Sequence, residues 1–248
     1  MTKSEDYRRR LLTLTDWAPF LLKESGLPGP RGNLELAQVF ADEASAGQIE
    51  DFLSLTPAQA PENSPQVFLV FCALTALGKR IACGELQHLK RLRTYASDPR
   101  WRVREAVAIA LQYIGDSDMK TLLAAMEVWR RGNWYEKRAV VAALAEPRLL
   151  TVPAHGLRVL DILDALTREM GSVHDSKDES FKVFRQTMGY AWSVAVAAAP
   201  RAGKPLMQKW SRDPNPNVRW AMKENLKKNR LSRMDEKWVR RLSSTLRS

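Results

Sequence analysis

Two residue pairs have the types and the spacing to act together on helical faces. Trp101 and Glu105 stand four residues apart, so on a helix they share one face. Trp134 and Arg138 repeat this spacing 33 residues later in the chain. Indole faces attract cations by about 0.5–2 kcal/mol, a carboxylate stabilises developing positive charge, and a guanidinium binds phosphate. Stacked helices could therefore point both pairs at one groove. Two further aromatic residues follow these pairs: Tyr190 and Trp192.

Ordinary packing would also explain these residues. Trp101 and Trp134 occupy the same position of an internal repeat, where a ring at a helix start packs against its neighbours. Glu105 and Arg138 have the character of solvated surface charges. Trp192 lies in a very apolar stretch, which favours burial in a core.

Positive charge is concentrated at the C-terminal end of the chain. The 248 residues carry a net charge of +11, and the last 48 contain 14 basic and 4 acidic residues. Three tryptophans in the same stretch indicate that it folds and is not a solvated tail. We expect its basic residues to contact a polyanion, with a merely solvated surface as the alternative. This basic set consists of Arg219, Lys223, Lys227, Lys228, Arg230 and Arg233.

Helical periodicity runs through the whole sequence, and strand signals are scarce. Apolar residues recur at three- and four-residue spacing, and proline and glycine separate the periodic stretches. The sequence therefore predicts an all-α protein. The predicted helices cover residues 4–24, 33–44, 46–54, 64–81, 85–96, 100–114, 117–130, 134–145, 154–170, 178–198, 202–211, 215–228 and 234–246.

An internal repeat indicates how these helices are arranged. Residues 98–111 and 213–226 share Asp, Pro, Val, Arg, Ala and Leu at a constant offset of 115, and further copies begin near Trp134 and Phe184. Asp suits a helix N-cap and Pro the first turn. The valine packs between helices, and we expect the arginine to reach the cap of the previous repeat.

This pattern resembles HEAT repeats. The resemblance implies a right-handed α-α superhelix, that is, a HEAT-like or armadillo-type solenoid with a concave binding surface. We expect one domain over residues 1–248, with a divergent helical cap at 1–60 and clear repeats over about 85–245.

The order of the motifs also resembles the HEAT-like alkylpurine DNA glycosylases of the AlkD and AlkC kind. In the AlkD type, a Trp-x-x-x-Asp helix, a Trp-x-x-Arg-Ala-Ala helix and a Gly-Trp helix follow one another. This chain departs from that pattern, with Glu in place of Asp and a longer Trp-to-Arg spacing. The corresponding segments are Trp101-Arg-Val-Arg-Glu105, Trp134-Tyr-Glu-Lys-Arg138-Ala-Val and Met188-Gly-Tyr-Ala-Trp192.

The resemblance implies excision of alkylated bases from duplex DNA. Glu105 would then be the catalytic carboxylate, stabilising the oxocarbenium character that the sugar acquires as the base departs. Arg138 would bind a flanking phosphate, and the basic set would bind the duplex backbone with strong salt dependence. The aromatic residues facing the base would be Trp101, Trp134, Tyr190 and Trp192.

Other chemistries lack their motifs. Cys72 and Cys83 have no zinc spacing and lie in an apolar stretch, so we expect buried free thiols. The three histidines, His88, His155 and His174, stand in no metal or catalytic motif, and no nucleotide-binding glycine motif occurs. We expect no metal and no cofactor.

The remaining expectations concern the setting of the protein. The charged N-terminus and the lack of a long apolar run predict a cytoplasmic monomer without a signal peptide or a membrane partner. Two other classes of function stay open. One is a non-catalytic scaffold that binds proteins, and the other is a regulatory subunit for an acidic enzyme partner.

Overall fold

The computed structural model describes residues 2–173 and 177–246, so His174 lies outside the described residues. The described residues form α-helices and two short 3-10 helices, without any strand, which confirms the all-α prediction. The 3-10 helices span Leu86–His88 and Pro147–Leu150. The α-helices are α1 (Lys3–Leu12), α2 (Ala18–Glu24), α3 (Leu34–Glu43), α4 (Ala46–Leu53), α5 (Val67–Ala82), α6 (Leu89–Tyr95), α7 (Trp101–Ser117), α8 (Met119–Trp129), α9 (Trp134–Leu144), α10 (Pro153–Gly171), α11 (Glu179–Ala198), α12 (Pro200–Trp210), α13 (Pro216–Leu226) and α14 (Asn229–Thr245).

The chain divides into two compact units, Met1–Asp118 and Met119–Ser248. The centre of the first unit is α5, which is apolar over nearly its whole surface and packs against α2, α3, α4, α6 and α7. Gly78 permits the close approach of α7, because a Cβ there would lie 2.4 Å from the Cα of Ala110. The small residue is therefore required by the packing of the two helices.

The two cysteines differ in exposure, which corrects part of the sequence prediction. Cys72 lies inside α5 and is buried, and this burial raises the pKa of its thiol well above the ordinary value. Cys83 is the C-cap residue directly after α5, and it is exposed. The expectation of a buried thiol was wrong for Cys83, because the apolar stretch ends just before it.

In the second unit, α11 is the central helix. It packs against α9, α10, α12, α13 and α14, and its inward side chains form the largest part of the core. Phe181, Phe184 and Trp192 are fully buried or nearly so. This helix therefore fixes the positions of the elements that surround its C-terminal end.

Two predicted helix boundaries were wrong for local reasons. The stretch predicted as one helix over 4–24 breaks after Leu12, and Asp16 accepts the N–H of Ala18 at 2.9 Å to start the second helix. The last helix starts at Asn229, not at 234, but its backbone is non-helical at Asp235. The Asp235 carboxylate accepts a backbone N–H in the next turn, so it acts as an internal cap near the predicted start.

The two clearest repeat copies form the same turn. Asp98 accepts the backbone N–H of Arg100 at 2.8 Å, and Asp213 accepts that of Asn215 at 2.8 Å. Arg100 and Asn215, not the aspartates, are the N-cap residues of α7 and α13. The repeated aspartate therefore shapes the turn before each helix, which corrects the N-cap prediction.

The repeat arginines hold their helices to carbonyl groups. Arg104 donates to the carbonyls of Asp98 and Pro99 at 2.6 and 2.8 Å, so it binds the loop of its own repeat. Arg219 donates to the carbonyl of Leu246 at 3.1 Å. These arginines therefore have structural partners, while the superhelical arrangement of one HEAT-like domain stays a prediction.

Candidate nucleic-acid interface

A cleft lies in the second unit where the turn between α13 and α14 meets the C-terminal end of α11 and the second 3-10 helix. It encloses about 660 Å³. We call it the basic cleft. Its lining residues are Pro147, Leu150, Val194, Ala197, Ala198, Lys227, Lys228, Asn229, Arg230 and Arg233.

The basic cleft brings together four residues of the basic set predicted from the sequence. Lys227 pairs with Glu224 three residues before it, so part of its charge is compensated. Within residues 2–173 and 177–246, no ion pair joins Lys228, Arg230 or Arg233 to a carboxylate. Three uncompensated cations on one cleft give it a positive potential that favours an anion.

Tyr190 lies close to this charge cluster. The side chain is half-buried, and this burial raises the pKa of its phenol above the ordinary value. Arg138 and Arg230 oppose the shift and Glu146 adds to it, so all three charges are within electrostatic reach of the ring. Tyr190 is therefore a neutral phenol at physiological pH, beside an arginine that lines the cleft.

The remaining members of the basic set lie outside the basic cleft. Lys223 is exposed and lines a second hollow of about 290 Å³ with Trp220 and Lys227. The guanidinium of Arg185 lies 4.4 Å from the ring centroid of Trp220. Arg219 is half-buried, and its bond to a main-chain carbonyl engages its guanidinium. The sequence did not identify Trp220 as a neighbour of the basic set, although its position beside Arg219 was a signal.

In the first unit, Trp101 and Glu105 are joined by a residue that the sequence prediction missed. The Arg102 guanidinium lies 3.8 Å from the ring centroid of Trp101 and pairs with Glu105 at 3.1 Å. It also donates to the carbonyl of Gly29 at 2.8 Å and is only 4% exposed. Trp101 keeps 43% of its surface exposed. A cationic ligand there would meet an indole and a carboxylate that already hold a cation.

One of the predicted aromatic residues lies in the core, and another packs at its edge. Trp192 is 0% exposed, and its Nε1–H donates to Thr167 at 3.0 Å. It has no surface for a ligand, so its assignment to a substrate site is corrected. Trp134 is half-buried, with its ring centroid 5.1 Å from Phe181 and 5.0 Å from Phe184. These contacts fix the start of α9 on α11.

The predicted site residues are divided between the two units. Trp101 and Glu105 belong to the first unit, and Arg138 and Tyr190 belong to the second. Arg138 is half-buried on α9. Within the second unit the structure places Arg138 near Tyr190, and Tyr190 near the cleft residue Arg230.

Glu62 is a buried carboxylate that no sequence motif indicated. Both carboxylate oxygens are buried and lack a hydrogen bond of normal geometry, although they face the first N–H groups of α7 at Trp101 and Arg102. Burial raises the pKa of Glu62, and Arg102 and Arg104 partly oppose this shift. The first N–H groups of α7 therefore offset only part of the cost of burying this charge.

Two comparisons of the sequence with known proteins found no match. No protein-family model matches the chain, and no curated protein is significantly similar to it. Within the described part of the chain, no group of His, Cys, Asp or Glu side chains could hold a metal ion. None of the helices formed by these residues is long and apolar enough to cross a bilayer.

Proposed function

We propose that this protein binds nucleic acid through the basic cleft of its second unit, with the backbone of duplex DNA as the ligand. The observation that carries the proposal is the set of three cations, Lys228, Arg230 and Arg233, that line one cleft without carboxylate partners among the described residues. A helical protein gains no stability from gathering like charges. A polyanion supplies the missing counter-charge, and counterion release from DNA drives the association.

The exposed lysine at position 223 extends this surface. Lys223 lines the hollow beside the cleft with Lys227, whose charge Glu224 partly compensates, so Lys223 extends the positive charge along α13. A duplex backbone that occupies the cleft would therefore meet further cations on the next turn. Non-specific backbone contacts of this kind fix position without reading sequence.

The salt dependence of binding tests the proposal. Fluorescence anisotropy of a labelled DNA duplex gives the slope of log affinity against log salt for the wild type and for the triple variant Lys228→Gln/Arg230→Gln/Arg233→Gln. Each lost phosphate contact lowers the slope by about 0.9, so the triple variant loses up to about three units.

A matched control removes the same charge elsewhere. Arg31, Arg212 and Lys237 are exposed and do not line the cleft. Changing these three residues to glutamine leaves the slope within about one unit of the wild type. A flat salt response of the wild type, or equal losses in both triple variants, would overturn the proposal.

A more specific activity within this proposal is excision of alkylated bases. The exposed face of the Trp101 ring and the Glu105 carboxylate support it, because both groups interact with cationic bases and sugars; such a base would compete with Arg102 for them. The test is release of base from duplex DNA that carries N-alkylated purines, with the wild type beside Glu105→Gln. Release that collapses in the variant supports a glycosylase, and absence of release from both proteins rejects it.

The second class of function is a protein-interaction scaffold. An apolar hollow of about 580 Å³ lies at the junction of α11 and α12, and its Leu157 is 46% exposed. On this alternative, DNA binding is absent at low salt and a co-purifying protein is lost in the variant Leu157→Glu. The scaffold alternative is rejected if the wild type binds DNA in a salt-dependent way and the Leu157→Glu variant binds DNA equally well.

A further inference from the structure

The lining of the basic cleft has two chemically different parts. Lys228, Arg230 and Arg233 supply charge from the start of α14 and the residue before it. The end of α11 and the second 3-10 helix supply an apolar surface instead, from Leu150, Val194, Ala197, Ala198 and Pro147. A ligand that fits both parts carries an anionic group next to an apolar one.

The size of the cleft agrees with a small, defined ligand group. Its volume of about 660 Å³ lies within the range of small-molecule sites, about 300–1,000 Å³. The alanines at positions 197 and 198 leave this room, because their side chains end at Cβ. Val194 and Leu150 are each only 3% exposed, so they form a firm floor under the open space. Electrostatic attraction to a polyanion alone requires neither the depth nor the apolar floor.

We propose that the basic cleft takes one unpaired nucleotide of a nucleic acid. Its phosphate would contact Lys228, Arg230 and Arg233, and its sugar and base would lie against the apolar floor. This inference rests on the proposed function and deepens it, since it adds recognition of a nucleotide unit to attraction by charge. A base inside an intact duplex stays stacked between its neighbours, whereas an unpaired base enters a pocket at small cost. The protein therefore binds DNA with an unpaired nucleotide more tightly than intact duplex.

Two DNA probes with equal charge test this inference. One is a short duplex with a single unpaired adenosine in its centre, and the other carries an abasic residue at the same position. Both have the same number of phosphates, so their affinities differ only through the base. Competition anisotropy at one salt concentration is expected to give about tenfold tighter binding of the adenosine probe, from burial of its apolar ring surface.

Filling the cleft tests where the base binds. Ala197→Leu adds volume to the half-buried surface without changing charge. We expect it to bring the affinity ratio of the two probes close to one while affinity for intact duplex stays within about twofold. Ala124→Leu, at an exposed position of α8 outside the cleft, is the matched control and keeps the ratio.

A second variant covers the case in which Ala197→Leu is poorly folded, which circular dichroism detects. Pro147→Gly removes an exposed ring from the apolar part of the lining, so it lowers the affinity ratio of the two probes without adding volume to the cleft. If the wild type binds the two probes with equal affinity, the inference of a nucleotide site is overturned. The proposed function still stands in that case, provided that duplex binding depends on salt. Absence of salt-dependent binding to any of the DNA probes would overturn both.

Discussion

The buried pair formed by Trp192 and Thr167 gives a quantitative test of whether that tryptophan is structural. The indole N–H donates to the Thr167 hydroxyl at 3.0 Å, and both residues are 0% exposed. The hydroxyl in turn donates to the carbonyl of Leu163 at 2.7 Å. Thr167→Val keeps the shape of the side chain but leaves the indole N–H buried without an acceptor. We expect this change to lower the free energy of unfolding by about 1–3 kcal/mol.

The second half of the test changes the tryptophan. Trp192→Phe removes the indole donor and leaves space in a packed core, so we expect a loss of about 2–4 kcal/mol. In the Trp192→Phe background, Thr167→Val no longer leaves a buried donor without an acceptor. Its effect on the free energy of unfolding therefore becomes smaller by about 1 kcal/mol. Urea unfolding followed by far-ultraviolet circular dichroism measures the four proteins of this cycle.

The same proteins separate stability from binding. Because Trp192 has no exposed surface, the folded variants keep the DNA affinity of the wild type within about twofold. Strictly additive unfolding free energies would contradict the hydrogen-bonded pair. A Trp192→Phe protein with unchanged stability and weakened DNA binding would show that the ring contacts the ligand, and would refute the reasoning.

Four further substitutions test the helices that hold the candidate site. Gly78→Ala places a Cβ 2.4 Å from the backbone of α7 and lowers the free energy of unfolding by about 1–3 kcal/mol, whereas Gly47→Ala, with its nearest neighbour at 3.9 Å, raises it by about 0.5–1 kcal/mol in the same urea titration. Glu62→Gln stabilises the protein at pH 7, where burial disfavours the charged carboxylate. Since the folded pKa is raised, this gain disappears below the unfolded value of 4.5, and urea titrations from pH 3 to 7 measure it. Glu105→Gln lowers the melting temperature by no more than about 4 °C, because its ion pair is partly exposed and contributes at most about 1 kcal/mol; a larger drop would show that Glu105 is needed for folding.

The sequence predicted the helical class of the fold and most helix positions because local patterns determine both. Apolar spacing and helix-breaking residues act within one or two turns, so they can be interpreted without knowing the tertiary structure. The repeated aspartates were also visible in the sequence. In the structure, Asp98 and Asp213 each accept the backbone N–H two residues ahead, so the repeat forms the same turn twice. The break near Asp16 was missed because a single carboxylate can start a helix inside a periodic stretch.

The candidate site was less predictable because it depends on contacts between distant segments. The apolar stretch around Trp192 favoured its burial, which is complete, but no local pattern indicated that Trp101 keeps 43% of its surface exposed. Arg102 was not identified, because its bond to Gly29 spans 73 positions of the chain. The charge of Lys228 and Arg230 could be predicted from composition, but the apolar surface beside them comes from helices far away in the sequence.

Lysine footprinting in the presence of DNA tests the central claim most directly. Brief acetylation followed by mass spectrometry compares each lysine in the free protein and in the complex with duplex DNA at low salt. Lys228 lines the basic cleft, whereas Lys182 and Lys237 are exposed outside it. We expect Lys228 to become protected by about fivefold or more, while Lys182 and Lys237 react at unchanged rates. Equal protection of all three lysines, or an unprotected Lys228 in a saturated complex, would contradict it.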